Sequence, residues 1–427
     1  MKNIVYKILS LKPNEWKILI CATLFIFILF ASYAALRPIR DTLGIHNAEE
    51  HLKWLFLGTF IATICASLFA MFLSGSMNRK RYVDIIFSFF ALNLLGFFIA
   101  LLVLDEESRG FTYLSWIFYI WVSVFNLFII SSAWSLLADV FSKERSKRLF
   151  GIISTGASLG SILGSLGVSI LSKYISIHHF IFVALSLLLL AILVEKLLLR
   201  ESYHLLNDEA QKQDFCARFE NPIGSKNPFS GIAIILKSKY LLAFVGFILL
   251  LTSVSTFLYM EQARIIKALF PTKEARMAAF ANIDFIVQTL SFIIQIFFTA
   301  KIVECLGLKW LLSMLGFVIS IGFIILAFTH PAFLPFIIVM CIRRVGEYAL
   351  VKPGREMLFV PLDSNTKYKV KNFLDTVVYR GGDALSAQIE GALVKISVSA
   401  VLLCGAIISF VWGLLGLFLA KKYDESQ

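Results

Sequence analysis

Long apolar stretches separated by short polar ones repeat along the whole chain. A helix needs about 20 apolar residues to cross the hydrocarbon core of a bilayer. Twelve stretches meet that length: 17–38, 54–75, 82–104, 112–138, 147–171, 177–199, 241–262, 278–302, 307–329, 331–351, 371–396 and 398–420. The pattern predicts an all-α membrane protein of twelve transmembrane helices. The longest hydrophilic run lies between the sixth and seventh spans and contains Pro222, Gly224 and Pro228. It divides the chain into a six-helix half over 1–199, a cytoplasmic linker over 200–240 and a second six-helix half over 241–427. The span 371–396 is the most polar, with Asp375, Arg380, Gly381, Gly382, Asp383, Gln388 and Glu390, so a hairpin or a partly unwound helix is open there.

Composition agrees with this pattern. Of 427 residues 59% are hydrophobic and 16% charged, and the mean hydropathy is +0.82. A soluble chain carries about a quarter charged residues. The net charge is +12. With the amino terminus in the cytoplasm, Lys and Arg outnumber those on the opposite side about threefold, as the positive-inside rule requires. The excess charge thus faces anionic headgroups, and no nucleic-acid partner is needed to explain it. The opening segment reads as a basic leader to the first span rather than a cleaved signal. The expected location is a bacterial inner membrane, multi-pass, with both termini cytoplasmic and the chain acting as a monomer.

Catalytic and metal-binding signatures do not emerge. The six cysteines (Cys21, Cys65, Cys216, Cys305, Cys341 and Cys404) have no C-x-x-C spacing and read as packing residues. The histidines form no metal-ligand spacing, and there is no G-x-x-x-x-G-K-[ST] phosphate loop. The chain reads as neither an enzyme nor a cofactor protein, and uphill movement of a solute would draw on a gradient or on exchange.

Arg343 and Arg344 break the apolar stretch 331–351 at its middle. A charge at that depth costs at least ~2.5 kcal/mol, so it calls for a polar cavity, an anion or an acidic partner. At 1.5 Å per residue Arg343 lies roughly 18 Å into its span, and Arg380 roughly 14 Å into the next. Guanidinium forks suit phosphate and carboxylate, so Arg343, Arg344 and Arg380 are candidate anion ligands. Arg37, Arg40 and Arg264, at the outer ends of spans 1 and 7, are candidate attractors; headgroup anchoring is the alternative for the first two. Asn126, Asn282 and Gln288 add candidate polar ligands, although Asn126 and Gln295 also suit bonding between helices. Glu347 and Asp383 stand one turn from Arg343 and Arg380, and with Asp284 they are candidates for proton coupling or for pairing with arginine. Asp139, Glu144 and Arg145 at the inner end of span 4 suit a gating network. Gly156, Gly160, Gly164 and Gly167 form a small-residue stripe suited to close packing.

The two halves echo each other. Tyr33, Arg37 and Arg40 at the end of span 1 match Tyr259, Arg264 and Lys267 at the end of span 7. The loop holding Asp139, Lys143 and Arg145 matches the one holding Asp363, Lys367 and Lys371, and the turn Gly75 to Arg81 has a basic counterpart at Lys301 to Lys309. Echoes at equivalent positions favour a parallel-repeat fold of the major facilitator kind. The G-x-x-x-R-K-R turn resembles that superfamily's signature loop.

The segment from Pro353 through Arg355, Glu356, Met357, Phe359 and Pro361 to Asp363, followed by Lys367, Lys369, Lys371 and Asp375, resembles the non-mitochondrial ATP/ADP translocases. Their pattern there is close to P-x-K-E-M-x-Y-I-P-L-D. Ile39-Arg40-Asp41-Thr42 is similar to the L-R-D-T that follows their first span. The resemblance implies a nucleotide exchanger, with Arg40, Asp41, Arg355, Glu356 and Lys371 as functional positions and Asp375 beside them. An inner gate is the other role open to the Arg355–Glu356 region, with the Asp139 loop as its partner. Leu43 and Gly44 stand where that family has a lysine and an acid, and Arg355 stands for its lysine.

Three functions follow in order of support. The first is a secondary transporter for an organic anion, a nucleotide or related phosphorylated metabolite, by exchange or proton coupling. The second is a general facilitator moving a non-nucleotide solute such as a drug or siderophore. The third, a membrane sensor on a transporter-like fold, would call for a sizeable soluble domain, and the chain carries only its linker.

Overall fold

A computed structural model describes residues 15–46, 49–206, 208–220, 229 and 231–425. Every element among them is helical. The helices are α1 (Trp16–Gly44), α2 (Leu52–Ser76), α3 (Arg79–Val103), α4 (Arg109–Val140), α5 (Lys143–Leu171) and α6 (Ile177–His204). The linker region contributes the short α7 (Glu209–Glu220) and α8 (Ile232–Leu236). There follow α9 (Lys239–Leu269), α10 (Lys273–Phe297), α11 (Thr299–Thr329), α12 (Phe333–Gly346), α13 (Lys352–Met357), α14 (Ser364–Phe373), α15 (Tyr379–Leu393) and α16 (Val398–Asp424). Ser108, Ser142, Ser238, Thr272, Asp363 and Ser397 each accept a backbone N–H at a helix start, the side-chain capping that free amino-terminal amides call for.

Ten of the described helices are long and apolar enough to span a membrane. The two expected spans outside these ten, 331–351 and 371–396, carry the pairs Arg343–Glu347 and Arg380–Asp383. Each is a helical tract with a π turn in the middle: Glu347–Val351 joins α12 to α13, and Leu374–Val378 joins α14 to α15. The tract 364–393 is therefore helical throughout, neither a hairpin nor unwound. A π turn takes one extra residue and rotates the side chains that follow it, a feature concentrated at functional sites. Both turns begin or nearly begin with an acid, Glu347 and Asp375. The expected span 278–302 also shifts. It starts at Lys273 and stops at Phe297, and the helix after it is broken at Gly307, whose φ of 67° favours glycine.

The chain divides into two compact units. The first comprises residues 1–43, 69–225 and 280–285, the second 44–68, 226–279 and 286–427. In the first, an aromatic seam joins α3 to α4, with Phe90 5.4 Å from Phe125 and Phe97 5.1 Å from Phe118 between ring centroids. On α5 the expected glycine stripe packs on α1. A Cβ at Gly156 would stand 2.6 Å from the Thr23 carbonyl oxygen, and one at Gly164 2.6 Å from that of Ala31. Gly160 meets the Phe27 carbonyl in the same way, so only glycine allows this approach, whereas Gly167 has nothing near it. In the second unit α11 lies along α16 by the same device: a Cβ at Gly416 would stand 2.7 Å from the Leu312 carbonyl oxygen. Phe244, Phe247, Phe323, Phe336 and Trp412 fill its core. Outward-facing Phe72, Leu102, Phe328 and Ile407 are exposed, as lipid-facing side chains should be.

Candidate functional site

Two buried polar clusters occupy the second unit. The first lies along the π-turn tracts. Arg343 donates to Glu347 at 2.8 Å across one turn, and the Tyr379 hydroxyl donates to the other Glu347 oxygen at 3.4 Å. Arg380 lies 3.6 Å from Asp383, which accepts from Thr256 of α9 at 3.3 Å. Arg344 is 2% exposed and Arg343 6%. The helical spacing read in the sequence thus becomes real contact, and Glu347 ties α12 to α15 through Tyr379. Gln295 of α10 donates to the Tyr348 carbonyl at 3.2 Å, inside the first π turn, where a shifted ladder frees backbone oxygens. At the linker-side end of the same tracts Arg355 lies 3.2 Å from Asp375 and Lys371 2.5 Å from Glu356. The second π turn therefore presents its acid to the first tract.

The second cluster joins α9 to the end of α15. Arg264 bonds Glu261 at 2.7 Å and reaches Glu390 at 2.5 Å with the same nitrogen. Nδ1 of His330, in the turn after α11, lies 3.0 Å from the remaining Glu261 oxygen. Arg264, the candidate attractor at the outer end of span 7, is largely buried between two carboxylates that are themselves 0–1% exposed. Sequence reasoning missed Glu261 and His330 as members. A glutamate three residues before an arginine on a helix was the available signal.

The first unit gathers the other candidates. Arg37 lies 3.5 Å from Asp284, and Asn282 accepts from Ser169 of α5 at 2.5 Å. Asn282 and Asp284 belong to α10, within the stretch 280–285 that packs with this unit. Arg40 forks onto Asp41 at 2.6 and 2.8 Å, donates to Ser123 at 3.4 Å and stacks over Tyr119 at 5.1 Å. Headgroup anchoring does not describe Arg37 and Arg40, because both reach buried acids inside the unit. Asn126 is half-buried on α4, whereas Gln288, also half-buried, lies on the part of α10 that belongs to the second unit. At the linker-side end the expected gating trio separates. Asp139 pairs with Arg79, the first residue of α3, and Arg145 lies 3.4 Å from Glu15. Arg148 grips Glu15 with two bonds, at 2.9 and 3.1 Å. The Glu144 side chain lies outside the described residues. Arg79, Glu15 and Arg148 are the members missed, because their partners come from distant segments.

Among the described residues no group of three or more His, Cys, Asp or Glu is placed to hold a metal ion. The described cysteines are free thiols.

Comparison with known proteins gives a consistent result for the fold. No curated protein matches the chain in sequence. Among solved structures, a peptide transporter POT in complex with sulfate is similar over 96% of this chain and 96% of its own, with 14% identity and a TM-score of 0.65. A nucleoside transporter NupG matches with 13% identity over 96% of this chain and 99% of its own, TM-score 0.61. A D-xylose-proton symporter matches with 14% identity over 96% and 97%, TM-score 0.62. At such identities the likeness establishes the fold alone. The Major Facilitator Superfamily model matches residues 18–351, more than half of the chain. With ten apolar helices among its described residues and the G-x-x-x-R-K-R turn at Arg79, this chain belongs to the Major Facilitator Superfamily and is a multi-pass membrane transporter of a small molecule, not an enzyme.

Proposed function

We propose that the protein is a secondary transporter for an organic anion, a nucleotide or related phosphorylated metabolite, working by alternating access between its 1–199 and 241–427 halves. The observation that carries this reading is the central cluster: Arg343, Arg344 and Arg380 on two helical tracts that are kept polar and interrupted by π turns. Buried charge is costly, and these tracts hold Arg343, Arg344, Glu347, Arg380 and Asp383 inside two expected spans. The motif likeness around Arg355, Glu356 and Lys371 and at Arg40–Asp41 supports a nucleotide. The chemistry follows from competition. Glu347 and Asp383 neutralise Arg343 and Arg380. A phosphate offers the same planar forks a better acceptor, displacing the carboxylates. A displaced carboxylate must then take a proton or await the next anion, which gives proton coupling or exchange without further parts. The strong basic bias of one side supports a bacterial inner membrane with cytoplasmic termini, and a monomer suffices for this cycle.

A thermal-shift screen of the purified protein against nucleotides, phosphorylated sugars and simple carboxylates tests the reading. A ligand at 100 times its Kd adds about 2.7 kcal/mol to the folded state. The screen should register a nucleotide or sugar phosphate, weakening with salt, and uptake of that ligand into vesicles should be lost in Arg344→Ala. Uptake unchanged in that variant at normal expression would remove the anion site.

A second reading, transport of a non-phosphorylated solute, is favoured by the pairing of Arg343 and Arg380 with their own carboxylates and by Leu43 and Gly44 at positions where the translocases carry a lysine and an acid. A screen in which only uncharged or cationic solutes raise the melting temperature would select it.

A further inference from the structure

The cluster at the other end of the second unit has a different charge balance. Glu261 and Glu390 are 1% and 0% exposed, and one guanidinium, Arg264, is shared between them. Two carboxylates against one cation leave an excess negative charge in a buried site, which proteins neutralise rather than tolerate. Oε1 of Glu390 faces the Arg264 guanidinium, while its buried Oε2 has no hydrogen-bond donor among the described residues. Against Oε1 of Glu261 stands the Nδ1 of His330, whose side chain is 33% exposed. The turn Glu49–His51, which carries Glu49, Glu50 and His51, packs on α9, and Lys53 follows it. Lys53 of α2 crosses Gly391, with its Nζ 5.8 Å from the Trp54 ring and its stem where a Cβ at Gly391 would stand. It contributes at the rim without an ion pair to either glutamate. Arg380 and Asp383, two turns below Glu390 on α15, satisfy each other.

We propose that Glu261, Arg264, Glu390 and His330 form a proton-loading site in the second unit, at the end of the bundle opposite the central linker. One exchangeable proton resides on the carboxylate pair, and His330 delivers it. The imidazole takes a proton from solution on its exposed nitrogen side and gives the Nδ1 proton to Oε1 of Glu261. The imidazole is left neutral and the cluster loses its excess negative charge. When the proton leaves, Arg264 holds both carboxylates and the pathway runs in reverse. At 1.5 Å per residue Glu261 lies ~12 Å below the end of α9, deep enough to be insulated from water once His330 turns away. The cluster is separate from the Arg343–Glu347 and Arg380–Asp383 pairs. It deepens the transport reading by naming where the driving proton binds, and its test needs no substrate, so it stands or falls apart from the anion assignment.

Infrared difference spectra between high and low pH, recorded on the protein reconstituted in liposomes, read protonated carboxyl groups directly. The wild type should develop a carboxyl band on acidification, and Glu261→Gln or Glu390→Gln should remove that component while both variants stay folded by circular dichroism. His330→Asn, at a partly exposed position, should keep the band and displace its midpoint by about one pH unit, the scale set by a close charge partner. Difference spectra identical to wild type in both glutamine variants would overturn the proposal. If either glutamine variant fails to fold, the His330→Asn titration decides, and an unmoved midpoint there is equally fatal.

Discussion

The two clusters of the second unit are built from the same side chains and end with opposite demands. Midway along the π-turn tracts Arg343 with Glu347 and Arg380 with Asp383 are one cation to one acid within a single helix turn, and Arg344 adds a further buried cation to the tract. At the far end one arginine serves two buried glutamates drawn from α9 and α15. Taking a partner away should therefore have contrasting consequences. In the first cluster it strands an arginine; in the second it relieves or worsens a negative excess according to which group is lost. Charge bookkeeping over a buried cluster says more about what it binds than a count of ion pairs does.

The largest effect should come from Arg264→Ala, which leaves Glu261 and Glu390 buried together without their shared cation. A loss of about 3–5 kcal/mol is expected, read as a fall in melting temperature in detergent. Adding Glu390→Gln to that variant should recover part of it, and no recovery would break the shared-cation account. The next contrast is one of sign. Asp383→Asn removes the charge beside Arg380 and should destabilise by about 2 kcal/mol, whereas Glu390→Gln should be neutral or stabilising. Matching losses in the two variants would mean the clusters do not differ in balance. Arg380→Lys keeps the charge and loses the planar fork, so uptake of the best ligand from the thermal screen should weaken about tenfold with expression unchanged. Wild-type uptake would point to simple charge neutralisation at that position. Smallest of all, Tyr379→Phe removes the hydroxyl that bonds Glu347 from α15 and should cost about 1 kcal/mol in thermal stability.

How much of this was legible beforehand depends on the range of each interaction. The pairs Arg343–Glu347 and Arg380–Asp383 were visible because helical spacing of three or four residues fixes who meets whom. The glycine stripe of α5 announced a close contact through its four-residue repeat, and the structure supplied α1 as the partner while leaving Gly167 outside it. The sequence offered Asp139, Glu144 and Arg145 as one gating network with the Arg355–Glu356 region as partner of the Asp139 loop, yet Asp139 pairs with Arg79 and Arg145 with Glu15, groups brought in from other segments. Arg264 looked like a mouth residue because it lies near the end of α9, and nothing local could disclose that α15 ends beside it.

Hydrophobic periodicity and length alone determined that this chain is helical and spans a membrane many times, since a bilayer admits few other ways to satisfy backbone amides. The basic turn at Arg79 and the charges inside two spans were also readable directly. Only tertiary structure decided which carboxylate faces which arginine, where the helical ladder widens into π turns, and that His330 stands beside a buried glutamate. Those outcomes depend on helices distant in sequence meeting at particular rotations, and no local pattern of residues encodes that rotation.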